Sequence, residues 1–257
     1  MPKYALLLCG QPRYRKAALE SILKNIIQVN DCDVFGHFWE NDETTKLPWE
    51  AVAKIANVRD ENTYENEYVY IDQIIKTIPF TNLEIQKQIL FPIDKFHPGT
   101  EKERVIRELG LEKANHHFRR CNFIFQSQWY SVYKANELKK AYEKEKGFTY
   151  DGVIRFRPDI LVPKPIYFKE YSNPTIYAPL YSTIYDISDV LAFGPSHLMD
   201  IYCNFYHHQE EICKDPRIGA LLSAMPLGLY IEKYIQTYTH SSFNFDKNPV
   251  CYIQIMP

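Results

Sequence analysis

Near its beginning the chain reads Tyr4-Ala-Leu-Leu-Leu-Cys-Gly-Gln-Pro-Arg13, an apolar run that Gly10 stops. From Tyr14 to Val29 apolar residues recur at helical spacing, and Asp33 to Trp39 is a second, largely apolar run. Apolar runs of this length on either side of an amphipathic helix indicate two buried strands and a crossover helix. The segment therefore predicts a βαβ unit, whose default form is a parallel strand pair with a right-handed crossover.

The rest of the chain continues to alternate strand and helix patterns. The patterns predict helices at 48–57, 101–111, 123–145, 196–213 and 220–238, strands at 150–162, 175–179 and 189–194, and a strand or helix at 83–91. This alternation predicts an α/β fold, with a mixed, mainly parallel sheet and helices on both faces. A length of 257 residues suits a single domain over residues 1–257.

Composition excludes several classes of protein. The chain has 30 Lys+Arg and 32 Asp+Glu, a net charge of −2, so no positive field is present to attract nucleic acid. Its apolar runs are too short for a transmembrane helix or a secretory leader, so a cytoplasmic protein is expected. Six cysteines are scattered along the chain, several within apolar runs, which is typical of reduced thiols.

Charged residues occur inside a strand pattern in Asp151-Gly-Val-Ile-Arg-Phe-Arg-Pro-Asp159. Because side chains alternate along a strand, Arg155, Arg157 and Asp159 should share one face at its carboxyl end, where α/β sheets bind ligands. Two guanidinium groups can bind a diphosphate in bidentate fashion, and a carboxylate can hold a divalent cation. The alternative is an internal salt-bridge ladder, in which Asp151 and Asp159 pair with the arginines.

The turn after the first strand is a second candidate site. A glycine lets the backbone approach a ligand, and the following helix offers free N–H groups, so nucleotide contacts are predicted at Gly10, Gln11 and Arg13. A plain strand-to-helix connection is the alternative. With one glycine, the turn matches neither the dinucleotide fingerprint nor the P-loop, which counts against those two classes. Trp39, beside His37 at the end of the second strand, could stack on a base or sugar, or belong to the core.

Five motifs together resemble a known family. They are Ala5-Leu-Leu-Leu-Cys-Gly-Gln-Pro-Arg13, Asp33-Val-Phe-Gly-His-Phe-Trp39, Ser127-Gln-Trp-Tyr-Ser-Val-Tyr-Lys134, Tyr150-Asp-Gly-Val-Ile-Arg-Phe-Arg-Pro-Asp159 and Ser188-Asp-Val-Leu-Ala-Phe-Gly194. Over residues 4–235 the chain is similar to a glycosyltransferase-like group of GT-A fold, found in bacterial surface-glycan loci and large viruses. The resemblance implies a nucleotide-binding part at about 1–160 and an acceptor part at about 161–257.

The resemblance also implies roles for individual residues. A nucleotide-sugar donor would lie over the first strand's loop, with Asp159 at the family's metal-binding D-x-D motif; Arg157 stands where that motif has its first acidic residue. Ser131 and Lys134, with Ser127 on the same helix face, would bind the donor sugar, although a solvated stripe is the alternative. Mn²⁺ or Mg²⁺ is a possible cofactor at Asp159.

The predicted reaction is sugar transfer from a nucleotide-sugar donor to a hydroxyl of a glycan acceptor, as in glycan biosynthesis. An inverting reaction needs a base for that hydroxyl, and Asp189 is the first candidate, with Asp186 and Glu232 as rivals. A retaining reaction needs no such base. Two other functions stay open. One is a non-catalytic nucleotide- or glycan-binding module on the same fold, and the other is a sulfate or phosphate transferase.

Overall fold

The structure is a computed structural model. It describes residues 2–12, 14–40, 68–69, 71–89, 91, 106–107, 110–158, 160–170, 175–178, 191–213 and 244–245. The helices predicted at 48–57 and 220–238 lie outside these residues.

The described strands are β1 (Tyr4–Gly10), β2 (Tyr14–Arg15), β3 (Cys32–Trp39), β4 (Tyr68–Val69), β5 (Phe80–Gln86), β6 (Gly152–Phe156), β7 (Tyr177–Ala178), β8 (Leu191–Gly194) and β9 (Asn244–Phe245). The helices are α1 (Lys16–Ile22), α2 (Gln28–Asn30), α3 (Ile71–Thr77), α4 (Leu111–Lys146), α5 (Ser196–Cys203) and α6 (Phe205–Cys213). A π-helical turn, Leu23–Ile27, joins α1 to α2, and a 3-10 turn covers Phe168–Glu170.

In the described part of the chain, seven strands form one sheet in the order β5-β3-β1-β6-β8-β7-β9. Strand β1 pairs in parallel with β3 and β6, and β3 pairs in parallel with β5. Strand β8 is antiparallel to β6 and β7, and β9 is parallel to β7. The prediction of an α/β fold with a mixed, mainly parallel sheet is confirmed.

The strand order places a topological switch point beside β1. The chain passes from β1 to β3 and then to β5 on one side, and it returns to β6 on the other side of β1. In open α/β sheets, the crevice that binds ligands lies at such a point, beyond the carboxyl ends of the strands.

Each face of the sheet carries its own apolar core. Along β1, Ala5, Leu7 and Cys9 belong to the core under α4, α5 and α6, whereas Leu6 and Leu8 belong to the core under α1, the π-helical turn and α3. The period of two in the strand explains this division. Helices therefore lie on both faces.

The strand predicted at 150–162 is shorter in the structure, because β6 ends at Phe156. Residues 160–168 instead run along the α1–α2 segment, and their backbone is held by three polar side chains and one backbone carbonyl of that segment. The hydrogen bonds are Val162 N to Ser21 Oγ (3.0 Å), Asn25 Nδ2 to Val162 O (2.6 Å), Ile166 N to Asn25 O (3.0 Å), Asn30 Nδ2 to Ile166 O (2.7 Å) and Phe168 N to Asn30 Oδ1 (3.0 Å). The strand pattern of the sequence did not indicate that these residues leave the sheet and pack along a helix.

Two helix predictions differ from the structure in their bounds. The helix predicted at 123–145 begins earlier, since α4 starts at Leu111 and reaches Lys146 before Gly147 ends it in a left-handed conformation. The helix predicted at 196–213 is divided at Asn204 into α5 and α6. Of the helices among the described residues, none combines the length and apolar character that crossing a membrane requires.

Candidate functional site

The carboxyl ends of four parallel strands meet at one edge of the sheet. Strand β1 ends at Gly10, β3 at Trp39, β5 at Gln86 and β6 at Phe156. Gly10 has a φ of 116°, a conformation that residues with a Cβ rarely adopt, and this glycine lets the chain turn sharply out of β1. The turn places Gln11 at the switch point.

Gln11 is half-buried and contacts a second glutamine from the segment after β5. Gln11 Nε2 donates to Gln88 Oε1 at 3.0 Å, and Ser127 Oγ of α4 donates to the same oxygen at 3.3 Å. The Gln88 Nε2 group donates to the Ile89 carbonyl at 3.1 Å. The predicted ligand loop is thus linked to β5 and α4 through one amide.

His37 is fully buried between β5 and α4. Its Nδ1 lies 2.7 Å from Ser131 Oγ, and its Nε2 lies 3.2 Å from Gln86 Oε1, which also accepts from Tyr130 OH at 3.3 Å. An amide oxygen only accepts, so Nε2 carries the proton and Ser131 donates to Nδ1. Ser131 is 0% exposed, so the prediction that it contacts a donor sugar is wrong for this conformation.

Burial lowers the pKa of His37, although the Gln86 hydrogen bond and the charge of Glu84 oppose this effect. The folded state therefore binds fewer protons at this site than the unfolded chain below about pH 6.5. We expect the free energy of unfolding of the wild type to fall as the pH drops through this range. The free energy of unfolding of His37→Gln should fall less steeply, because the buried imidazole is absent. Urea unfolding between pH 7 and pH 5 measures both slopes.

The matched control for this pH series is His197→Gln, because His197 is exposed on α5. Its removal should leave the wild-type slope unchanged. Equal slopes for His37→Gln and the wild type would contradict the assignment of acid sensitivity to the buried imidazole.

Trp39 is 0% exposed. Its ring stacks on Tyr130, with centroids 5.5 Å apart and planes 20° apart, and it meets Phe91 edge-on at 6.2 Å. Of the two interpretations of this residue, the structure places it in the core, so the predicted stacking on a base or sugar ring is wrong here.

Lys134 of α4 lies nearer the surface than Ser131. Its Nζ is 3.0 Å from Glu84 Oε1 of β5, and both side chains are about one-third exposed. Partial burial lowers the pKa of Lys134, but the hydrogen bond and charge of Glu84 outweigh this and raise the pKa above its ordinary value. Lys134 is therefore charged and ion-paired with Glu84 of β5.

Arg155 lies within β6 and is 1% exposed, on the face of the sheet that carries α4, α5 and α6. It lies close to the Cys9 thiol; burial raises the pKa of Cys9, and the guanidinium partly offsets that rise. The expectation that Arg155 opens into a crevice is wrong, because its position within the strand puts it under the helix layer. Arg157, the first residue after β6, is half-buried at the carboxyl edge.

Several predicted site residues lie outside the described part of the chain. They are Arg13, Asp159, Asp186, Asp189 and Glu232. Among the residues that are described, no group of three or more His, Cys, Asp or Glu side chains could hold a metal ion. Of the predicted set, Gly10, Gln11 and Arg157 lie at or just after the carboxyl ends of the neighbouring strands β1 and β6, whereas Arg155, Trp39 and Ser131 are buried.

Sequence reasoning missed three residues that bind the predicted ones, namely Gln86, Gln88 and Tyr130. A strand through 83–91 would have put both glutamines near the carboxyl edge, but the pattern there fitted a helix equally well. It also missed a groove of about 650 Å³ at the opposite edge, beside the turn from α4 to β6. Glu143 and Asp200 line this groove, and both pair with the buried Lys139.

No protein-family model matches this sequence, and a search of the curated proteins finds no match either. The resemblance to GT-A glycosyltransferases therefore stays a prediction based on the motifs and their order.

Proposed function

We propose that this protein is a nucleotide-sugar-dependent glycosyltransferase that transfers a sugar to a hydroxyl of a glycan. The observation that supports the proposal is the switch point between β1 and β6, because Gly10, Gln11 and Arg157 stand at the strand ends that border it. Crevices of this kind take nucleotides in open α/β sheets. A polar turn on one side and an arginine on the other suit a nucleoside diphosphate.

In this proposal Arg157 stabilises the leaving diphosphate. A guanidinium forms two parallel hydrogen bonds with phosphate oxygens, and its charge favours the negative charge that develops as the bond to the sugar breaks. Arg155 lies two residues earlier and is buried. In this proposal it contributes positive charge beneath the site but does not contact the diphosphate.

The donor set for a cation is incomplete compared with the family motif. Asp159 supplies one carboxylate, and Arg157 brings a positive charge where the motif has an acidic residue. These residues fit a divalent cation poorly. We therefore assign binding of the diphosphate to Arg157 and assign no step of the reaction to Mn²⁺ or Mg²⁺.

The transfer itself needs an acceptor hydroxyl oxygen to attack the anomeric carbon of the donor. The bond from that carbon to the diphosphate oxygen breaks, and the nucleoside diphosphate leaves with the electron pair. In an inverting reaction the hydroxyl proton passes to a carboxylate, for which Asp189 is proposed first, with Asp186 and Glu232 as rivals.

Binding of nucleoside diphosphates tests the proposal directly. Calorimetric titration with UDP, GDP and dTDP, each with and without Mn²⁺, should give micromolar affinity for one of them. Arg157→Ala should weaken that affinity about 10- to 100-fold, because hydrogen bonds to charged groups contribute about 1.5–3 kcal/mol. Arg107→Ala, which removes an exposed arginine, is the matched control and should change nothing. Indifference of the wild type to all three diphosphates would refute the proposal.

A non-catalytic nucleotide- or glycan-binding module is the second candidate. The observation in its favour is the arginine at position 157, which leaves a single acidic residue where the transferase motif has two. Incubation with nucleotide-sugars and mixed glycan acceptors separates the candidates. Transfer or donor hydrolysis that Asp189→Asn abolishes supports the enzyme, whereas nucleotide binding with no turnover in either protein supports the module.

A further inference from the structure

The orientation of the Gln88 amide follows from its neighbours. Gln88 Nε2 faces the carbonyl oxygen of Ile89, and a carbonyl oxygen can only accept. The amino group of Gln88 must therefore point to Ile89, and its oxygen must point to Gln11 and Ser127. Both of these residues face that oxygen with a donor.

The orientation of the Gln11 amide follows in turn. Two amide oxygens facing each other at 3.0 Å would repel, so Gln11 must present Nε2 to Gln88 Oε1. Its own oxygen, Oε1, is then directed away from Gln88. Within the described residues this oxygen has no hydrogen-bond partner, and it belongs to the half-buried side chain that follows Gly10 at the switch point.

The Gln11 oxygen can accept a hydrogen bond but cannot donate one. Phosphate oxygens are also acceptors, so they are not partners for this oxygen, whereas the N–H groups of a base and the hydroxyls of ribose are. Arg157, the first residue after β6, has the opposite preference, because a guanidinium only donates and binds phosphate oxygens. The two residues therefore favour opposite ends of a nucleotide.

We propose that Gln88 is a positioning residue that holds the Gln11 carboxamide with its oxygen toward the crevice, so that the Gln11 side takes an N–H or O–H donor of the nucleoside. This inference rests on the proposed function. It assigns the nucleoside to the β1 and β5 side of the switch point and the diphosphate to the β6 side.

The test compares three ligands by calorimetric titration: the nucleoside diphosphate that binds best among UDP, GDP and dTDP, ribose 5-phosphate, and inorganic pyrophosphate. Gln11→Leu and Gln88→Leu should each lower the affinity for the nucleoside diphosphate about three- to tenfold, which is the effect of one lost hydrogen bond. Pyrophosphate affinity should stay unchanged in both. If the variants lose the same factor of affinity for ribose 5-phosphate, the hydrogen-bond donor to Gln11 is a ribose hydroxyl. If their affinity for ribose 5-phosphate is unchanged, the donor is an N–H group of the base.

A double variant separates positioning from general structural damage. If Gln88 acts through Gln11, the Gln11→Leu/Gln88→Leu protein should bind no more weakly than Gln11→Leu alone. Gln73→Leu, which makes the same replacement at an exposed glutamine of α3, is the matched control and should leave nucleotide affinity unchanged.

The possible failures are distinguishable. A wild type that binds none of the diphosphates refutes the proposed function, and the inference falls with it. A wild type that binds one of them while both leucine variants bind it equally well overturns the inference alone. Equal weakening of pyrophosphate and nucleotide in Gln88→Leu, or additive losses in the double variant, also overturns it.

Discussion

Lys139→Met is expected to lower the free energy of unfolding by about 3–5 kcal/mol, the cost of removing one partner from a buried ion pair. Lys139 is 0% exposed, and its Nζ lies 2.7 Å from Ser196 Oγ, 2.8 Å from Asp200 Oδ1 and 3.1 Å from Glu143 Oε2. Methionine keeps much of the side-chain volume but removes the charge. The nearly buried Glu143 carboxylate would then lose its cation.

The neighbouring lysine provides the matched control. Lys140 is 48% exposed and pairs with Glu137 on the surface of α4. Solvent weakens such a pair, so Lys140→Met should cost no more than about 0.5 kcal/mol. Urea unfolding gives both values, and in a chain of this size the Lys139 variant should also melt roughly 10 °C lower. Similar stabilities for the two variants would contradict the importance of the buried pair.

Trp39→Ala is expected to cost about 3–5 kcal/mol of stability, the usual range for truncating a buried large aromatic residue. The loss arises because the indole is 0% exposed and packs against Tyr130, Phe91 and His37. Denaturant unfolding measures this effect. Since the ring lies inside the core, its role should be structural, even though it ends the strand next to β1.

Trp39→Phe distinguishes the structural role from ligand stacking. Phenylalanine retains an aromatic ring at the same place and should recover much of the lost stability. Affinity for nucleoside diphosphates should stay within about twofold of the wild type, because no ligand contact is lost. A tenfold loss of affinity in a stable Trp39→Phe protein would restore the stacking hypothesis.

Much of the fold was predictable because it depends on local pattern. The apolar run that became β1, the helical spacing after it and the second apolar run at β3 each occupy consecutive residues. Glycine also marked ends correctly, with Gly10 as the last residue of β1 and Gly147 directly after α4. The segment at 83–91 was ambiguous, because short apolar runs fit either a strand or a helix. Its assignment as β5 came from pairing with β3.

The candidate site was predictable only in part. Strand alternation correctly separates Arg155 from its neighbours Ile154 and Phe156, which face the other core. It does not tell how far a helix extends over that face. Because α5 packs against β6, Arg155 is enclosed, while Arg157, the first residue after the strand, is half-buried.

Alternating patterns of apolar residues, read along the chain, were sufficient for the α/β class, the central β1 strand and the glycine turn at its end, because each depends on residues adjacent in sequence. Which polar groups meet did not follow from those patterns. Gln11 and Gln88 are 77 positions apart, and His37 and Ser131 are 94 apart. Their contacts exist because strand pairing and the crossing of α4 bring distant segments together, and burial under that helix makes some predicted ligand contacts part of the core.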